Sequence, residues 1–160
     1  MVREAAARLY DVDADSLKFK KLAVANKYDT GTVSFQAKHD KLIDLDKLHE
    51  SIWATRLSGG TRSGLISLEV TAVGDVAVEG NETVLNVAGA DAHFVLGAHP
   101  GAEHRDAFDQ MRSAIERGEQ VVSVTGYVDG WSGRWPDVLR QLPPKPRRIL
   151  VTGFETASSQ

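Results

Sequence analysis

Segments in which apolar and polar residues alternate fill more of this chain than one layer of sheet can hold. "SLKFKKLAVANK" carries Leu17, Phe19, Leu22 and Val24, and its parity slips at Lys20–Lys21, as a bulged strand does. "YDTG" turns the chain into "TVSFQA", where Val33, Phe35 and Ala37 share one side, so the two segments predict a hairpin. "GLISLEVTAVGDVAVEG" predicts one long strand or two, kinked at Gly74, and "ETVLNVAGADAHFVLGA" a hairpin around "GAD". "VVSVTGYVDG" and "RRILVTGFET" complete the strands. Each carries a Val-Thr-Gly ahead of an aromatic, Val124-Thr125-Gly126-Tyr127 and Val151-Thr152-Gly153-Phe154, a pattern suited to barrel strands that bend at glycine.

Helical periodicity marks three further segments. Val2–Tyr10 is rich in helix formers, with Val2, Ala5, Ala6 and Leu9 on one face. "IDLDKLHESIWATRLSGG" is the strongest helix: Asp44 can cap it, Leu45, Leu48, Ile52 and Trp53 form its apolar stripe, and Gly59–Gly60 stop it. His49 and Trp53 on this helix are read as packing residues. "GAEHRDAFDQMRSAIERGEQ" turns Ala107, Phe108, Met111 and Ile115 inward and stops at Gly118. The order αββαβ, then a β-meander, a helix and two strands, exceeds one simple layer. Two small units fit it, 1–73 and 74–160, with the boundary between 67 and 76.

At 160 residues the chain can bury roughly 70% of its unfolded surface. With 42% hydrophobic and 26% charged residues it has the composition of a soluble globular protein, and no apolar run is long enough to span a bilayer. No charged segment followed by an apolar one marks a signal peptide, so the expected compartment is the cytoplasm, or the periplasm if a signal peptide preceded Met1 and was removed. The net charge of −3 argues against general nucleic-acid binding. Charge is uneven, however. Residues 130–160 carry a net +3 through Arg134, Arg140, Lys145, Arg147 and Arg148, leaving −6 elsewhere. Cysteine is absent, which excludes disulfides, thiolate metal sites and cysteine nucleophiles.

Residues 2–73 resemble the heavy-metal-associated domain family, whose order is βαββαβ. "VREAAARLYDV" matches the rest of its first helix, "SLKFKKLAV" and "GTVSFQAK" its second and third strands, "IDLDKLHESIWATRL" its second helix and "SLEVTAV" its fourth strand. The match begins after the place of the family's first strand and its Cys-x-x-Cys, so the resemblance implies a truncated ferredoxin-like unit without the thiolate site. In that fold strand one is central. Its neighbours would then need other hydrogen-bonding partners, and a rearranged sheet, a homodimer by strand addition or a protein partner is expected.

Residues 67–156 resemble the OB-fold, through "LEVTAVGDV", "LNVAGADAHFVLG", "VVSVTGYVDGW" and "ILVTGFE" and through their order of three strands, a helix and two strands. This implies a barrel that binds oligomers at the loop between its last two strands. The segment "GYVDGWSGRWPDVLRQ" would then join the last two strands. Trp131, Arg134 and Trp135 are its candidate ligand-binding residues, two rings to stack and a guanidinium to grip a planar or anionic ligand. The alternative is that the tryptophans pin the segment to the barrel.

Other chemistry is sparse. His93, His99 and His104, with Asp91, Glu103 and Asp106 near them, form a candidate site for zinc or copper(II), although their spacing matches no tight motif. Asp11, Asp13 and Asp15 do not make a calcium loop, because Ser16 and Leu22 stand where glycine and glutamate are needed. "GWSGR" is not a nucleophile elbow, and neither a P-loop nor a Gly-x-Gly-x-x-Gly occurs. The expected class is α+β, a partial ferredoxin-like α/β sandwich plus an OB-like β-barrel. The expected role is non-catalytic binding or interaction without a required cofactor. The alternative is an OB-type module that binds an oligonucleotide or other ligand through the Trp131/Trp135 segment.

Overall fold

The structure is a computed structural model that describes residues 12–21, 31–38, 41–54, 67–89, 92–129 and 146–157. The chain divides into two compact units, residues 1–65 and 66–160. It is a mixed α+β protein, mostly sheet. The helix expected over Val2–Tyr10 lies outside the described residues. Among the described residues no helix is long and apolar enough to cross a membrane.

In the first unit, β1 (Val12–Lys21) pairs antiparallel with β2 (Gly31–Ala37) as a two-stranded sheet. The register slips between Asp13 and Lys18, upstream of the expected bulge at Lys20–Lys21. The cause is local. The Asp13 carboxylate accepts from the Asp15 N–H at 3.0 Å, and the Ser16 hydroxyl donates to the Asp13 carbonyl at 2.6 Å. These side chains compete with the ladder for backbone groups. The Gln36 N–H then closes on Ser16 Oγ at 2.7 Å, so the hydroxyl bridges the interrupted ladder. Helix α1 (Leu45–Ala54) starts at Asp44, whose Oδ1 accepts from the N–H groups of Asp46 and Lys47. Leu48 and His49 are buried.

A ferredoxin-like sandwich is not seen among the described residues of this unit. The segment expected as its fourth strand belongs to the second unit. There β3 (Glu69–Glu79) pairs with β6 (Val121–Val128) along Glu69–Val73 and with β4 (Glu82–Val87) along Gly74–Glu79. The division between units accordingly falls before this strand.

The second unit is a closed barrel of order β3-β4-β5-β7-β6, with β5 spanning His93–Ala98 and β7 Arg147–Thr156. All neighbouring pairs are antiparallel except β5–β7, which is parallel. Two glycines let the strands change direction. A Cβ on Gly74 would lie 1.9 Å from the Asn86 carbonyl oxygen, and one on Gly126 would lie 2.2 Å from that of Leu150. Gly74 marks the point where β3 changes partner, and Gly126 a register shift between β6 and β7. The core holds Leu85, Leu96, Val124, Ile149 and Val151 from the strands. Met111 and Ala114 of α2 (Ala107–Glu116) join them, and the helix packs mainly on β7. The helix ends as expected. Gly118 has φ 83, its N–H donates to the Ile115 carbonyl, and the Glu119 N–H donates to that of Ala114, which satisfies two of the terminal acceptors.

Candidate binding surface

Directly opposed residues on neighbouring strands share a face, and four of them form a row across the barrel. Glu69 on β3 lies opposite Tyr127 on β6, Tyr127 opposite Leu150 on β7, and Leu150 opposite Gly97 on β5. The row is on the outer surface, because Ile149 and Val151 on either side of Leu150 are fully buried in the core. Arg148, two residues before Leu150, shares this outer face and is exposed. Its side chain lies across β5, where a Cβ added to Gly97 would meet Nε and Nη2 at 2.7 Å. The missing side chain at Gly97 is therefore what lets the guanidinium lie against the sheet. Among the described residues, the Arg148 side chain pairs with no carboxylate.

Two imidazoles adjoin the row. His99 follows β5, and its ring centroid is 5.5 Å from that of Tyr127, tilted by 50°. His104 meets His99 edge-on at 5.2 Å and 86°. The turn between them is held by two bonds: the Gly101 N–H donates to His99 Nδ1 at 2.9 Å, and the His104 N–H donates to the Gly101 carbonyl at 3.1 Å. A neutral imidazole has one donor and one acceptor nitrogen. With Nδ1 accepting, the hydrogen bond assigns the His99 proton to Nε2, which becomes a donor directed away from the turn. At the other end of the row, the Glu69 carboxylate, first through hydrogen bonding and then through its negative charge, and then burial push the Tyr127 phenol's pKa above 10.0.

The residues expected to form a metal site are only partly brought together. His99 and His104 meet, whereas His93 starts β5, is exposed, and lies opposite Asn86. Among the described residues no three His, Asp or Glu side chains are grouped to hold a metal ion. Trp131, Arg134 and Trp135 lie outside the described residues. Their segment leaves β6 immediately after Asp129, whose N–H donates to the Arg148 carbonyl at 2.8 Å.

The chain matches no family model, no curated protein and no solved structure. The fold and the surface therefore carry the functional argument alone. Tyr127, Arg148, Glu69 and Gly97 are not among the site candidates that the sequence offers. One signal for them is present there: Gly97 interrupts "HFVLGA", and a glycine within a strand marks a place where something approaches the backbone closely.

Proposed function

We propose that this chain is a non-catalytic binding protein whose ligand-binding module is the barrel of residues 66–160, read as OB-type. The observation that carries the reading is the strand order β3-β4-β5-β7-β6, with α2 between the third and fourth strands and a parallel pair between the third and fifth. Barrels of this kind bind oligomeric ligands on the face of their second and third strands, here β4 and β5, and in the segment joining the last two strands. Here that segment contains Trp131, Arg134 and Trp135, and residues 130–160 form the basic part of an otherwise acidic chain. A basic stretch confined to residues 130–160 of a chain of net charge −3 fits one localised anionic ligand, and not a nucleic-acid coat. The first unit is read as a descendant of heavy-metal-associated domains that works without their thiolates, a relation supported by its sequence pattern.

The test is a fluorescence titration with single-stranded oligonucleotides at low salt. It uses a Trp53→Phe background so that the signal comes from Trp131 and Trp135. The expected result is a saturable change that weakens as salt rises. A flat response across oligonucleotides of differing sequence would remove this reading of the segment.

A further inference from the structure

We infer that the outer row from Arg148 to Tyr127, with His99 beside it, is a subsite for one nucleotide unit, holding its phosphate at Arg148 and its base at Tyr127 and His99. The inference rests on the binding-module reading and names the ligand chemistry of that module. Three observations on the row carry it.

The first is the guanidinium. Arg148 is exposed and opposes no carboxylate among the described residues, and Gly97 gives it a flat seat on β5. A planar fork of N–H donors suits phosphate oxygens, and holding it against a sheet reduces the freedom lost on binding. The second is the aromatic pair. Tyr127 and His99 are half-buried rings 5.5 Å apart, and the hydrogen bond from Gly101 fixes the His99 ring and leaves its Nε2–H as a donor. Rings fixed in this way form a stacking platform for a base, which every base can use through its π-face. The third is polarity and spacing. The backbones of Gly97 and Tyr127 are two strand positions apart, with the half-buried Leu150 between them, ~10 Å at the usual strand separation. That is the reach from a phosphate to the base of the same nucleotide, with the sugar over Leu150. Glu69 beyond Tyr127 repels phosphate, so the orientation is fixed: phosphate at the Arg148 end, base at the end nearer the carboxylate.

A nucleotide unit can come from a free mononucleotide or from a single strand, and the experiment separates the two. Full-length protein is titrated with AMP, adenosine, inorganic phosphate and a twelve-residue single-stranded oligoadenylate. Binding is followed by NMR of the Tyr127 and His99 rings and by fluorescence anisotropy of the labelled oligomer. AMP is expected to shift both rings, with adenosine and phosphate alone each binding at least ~10-fold more weakly, since each makes only half of the contacts. An oligomer that binds more than ~10-fold tighter than AMP identifies the strand as the source, and equal affinities identify the free nucleotide. Arg148→Gln should weaken AMP and oligomer alike by ~10-fold and lower the salt slope for the oligomer by about one unit. Gly97→Ala is the sharper variant. The atoms nearest its methyl are all at the far end of the flexible Arg148 side chain, so the barrel should keep its melting temperature while the guanidinium is displaced and affinity falls as in Arg148→Gln. Arg117→Gln, at the far end of α2, should bind as the parent does. If AMP moves neither ring, the inference is overturned. If the oligomer changes Trp131 and Trp135 fluorescence but is indifferent to Arg148→Gln and Gly97→Ala, the subsite is overturned while the binding-module reading stands. If the tryptophans do not respond either, both fall.

Discussion

At Gly74 a single added methyl would lie 1.9 Å from the carbonyl oxygen of Asn86, on backbone that cannot move without opening the β3–β4 ladder. Gly74→Ala should therefore cost about 3 kcal/mol, the upper end of what overpacking costs, and lower the melting temperature by roughly 10 °C in a chain of this size. Gly153 is the contrast. A Cβ there meets nothing within 4 Å, so Gly153→Ala should stay within about 0.5 kcal/mol of the parent. Equal losses at both positions would show that the sheet, and not the close approach, penalises alanine. Tyr127 offers a second test at this scale. Glu69 holds its pKa above 10.0 in the folded protein. A group with a raised folded pKa stabilises the fold fully below its unfolded pKa, and that contribution is lost as pH rises through the folded value. Glu69→Gln should bring Tyr127 back toward 10 and flatten the alkaline fall in stability. NMR titration of the Tyr127 ring checks this, since the chain has three tyrosines. An unchanged midpoint would exclude the carboxylate as the cause.

The elements show what local sequence can encode. The N-cap of α1 was legible because capping depends on residues three apart, and Asp44 bonds the N–H groups of Asp46 and Lys47 at 3.0 and 3.2 Å. Asp44→Ala should cost about 1 kcal/mol, measured by denaturant unfolding. Less than about 0.3 kcal/mol would mean that water replaces the carboxylate without loss. Gly118 was legible as a stop for the same reason, and Met111 was legible as core from helical spacing. The bulge in β1 lies a few residues earlier than hydrophobic parity predicts, because parity does not register the competing bonds of Asp13 and Ser16. The candidate surface was hardly legible at all. Glu69 meets Tyr127, Gly97 underlies Arg148 and His99 meets Tyr127 through strand pairings between distant parts of the chain. Nothing in the spacing of one segment reports such contacts. The strand assigned by pattern to the first unit shows the same limit: "SLEVTAV" alternates as any strand would, and only its partners β4 and β6 reveal where it belongs.

On the scale of the molecule, the division before Ile66 leaves every strand of the barrel in one unit. A protein of residues 66–160 should fold alone and unfold in one cooperative step, with amides of β3 and β6 protected as in the full chain. A fragment without protected amides would show that the barrel depends on the first unit. Closure of the barrel is strongly non-local. Val70 pairs with Gly126, and Phe94 pairs with Arg147, so each seam brings together segments separated by long stretches of chain, an arrangement that slows folding. During synthesis this imposes a waiting period. The first half of β3 leaves the ribosome long before β6 exists to cover it, with Val70 and Ala72 directed toward an interior that has yet to be built. A nascent chain in this state is a substrate for chaperones and for strand exchange with a neighbour. Slowing translation between β4 and β6 should prolong that exposure and reduce the yield of native protein.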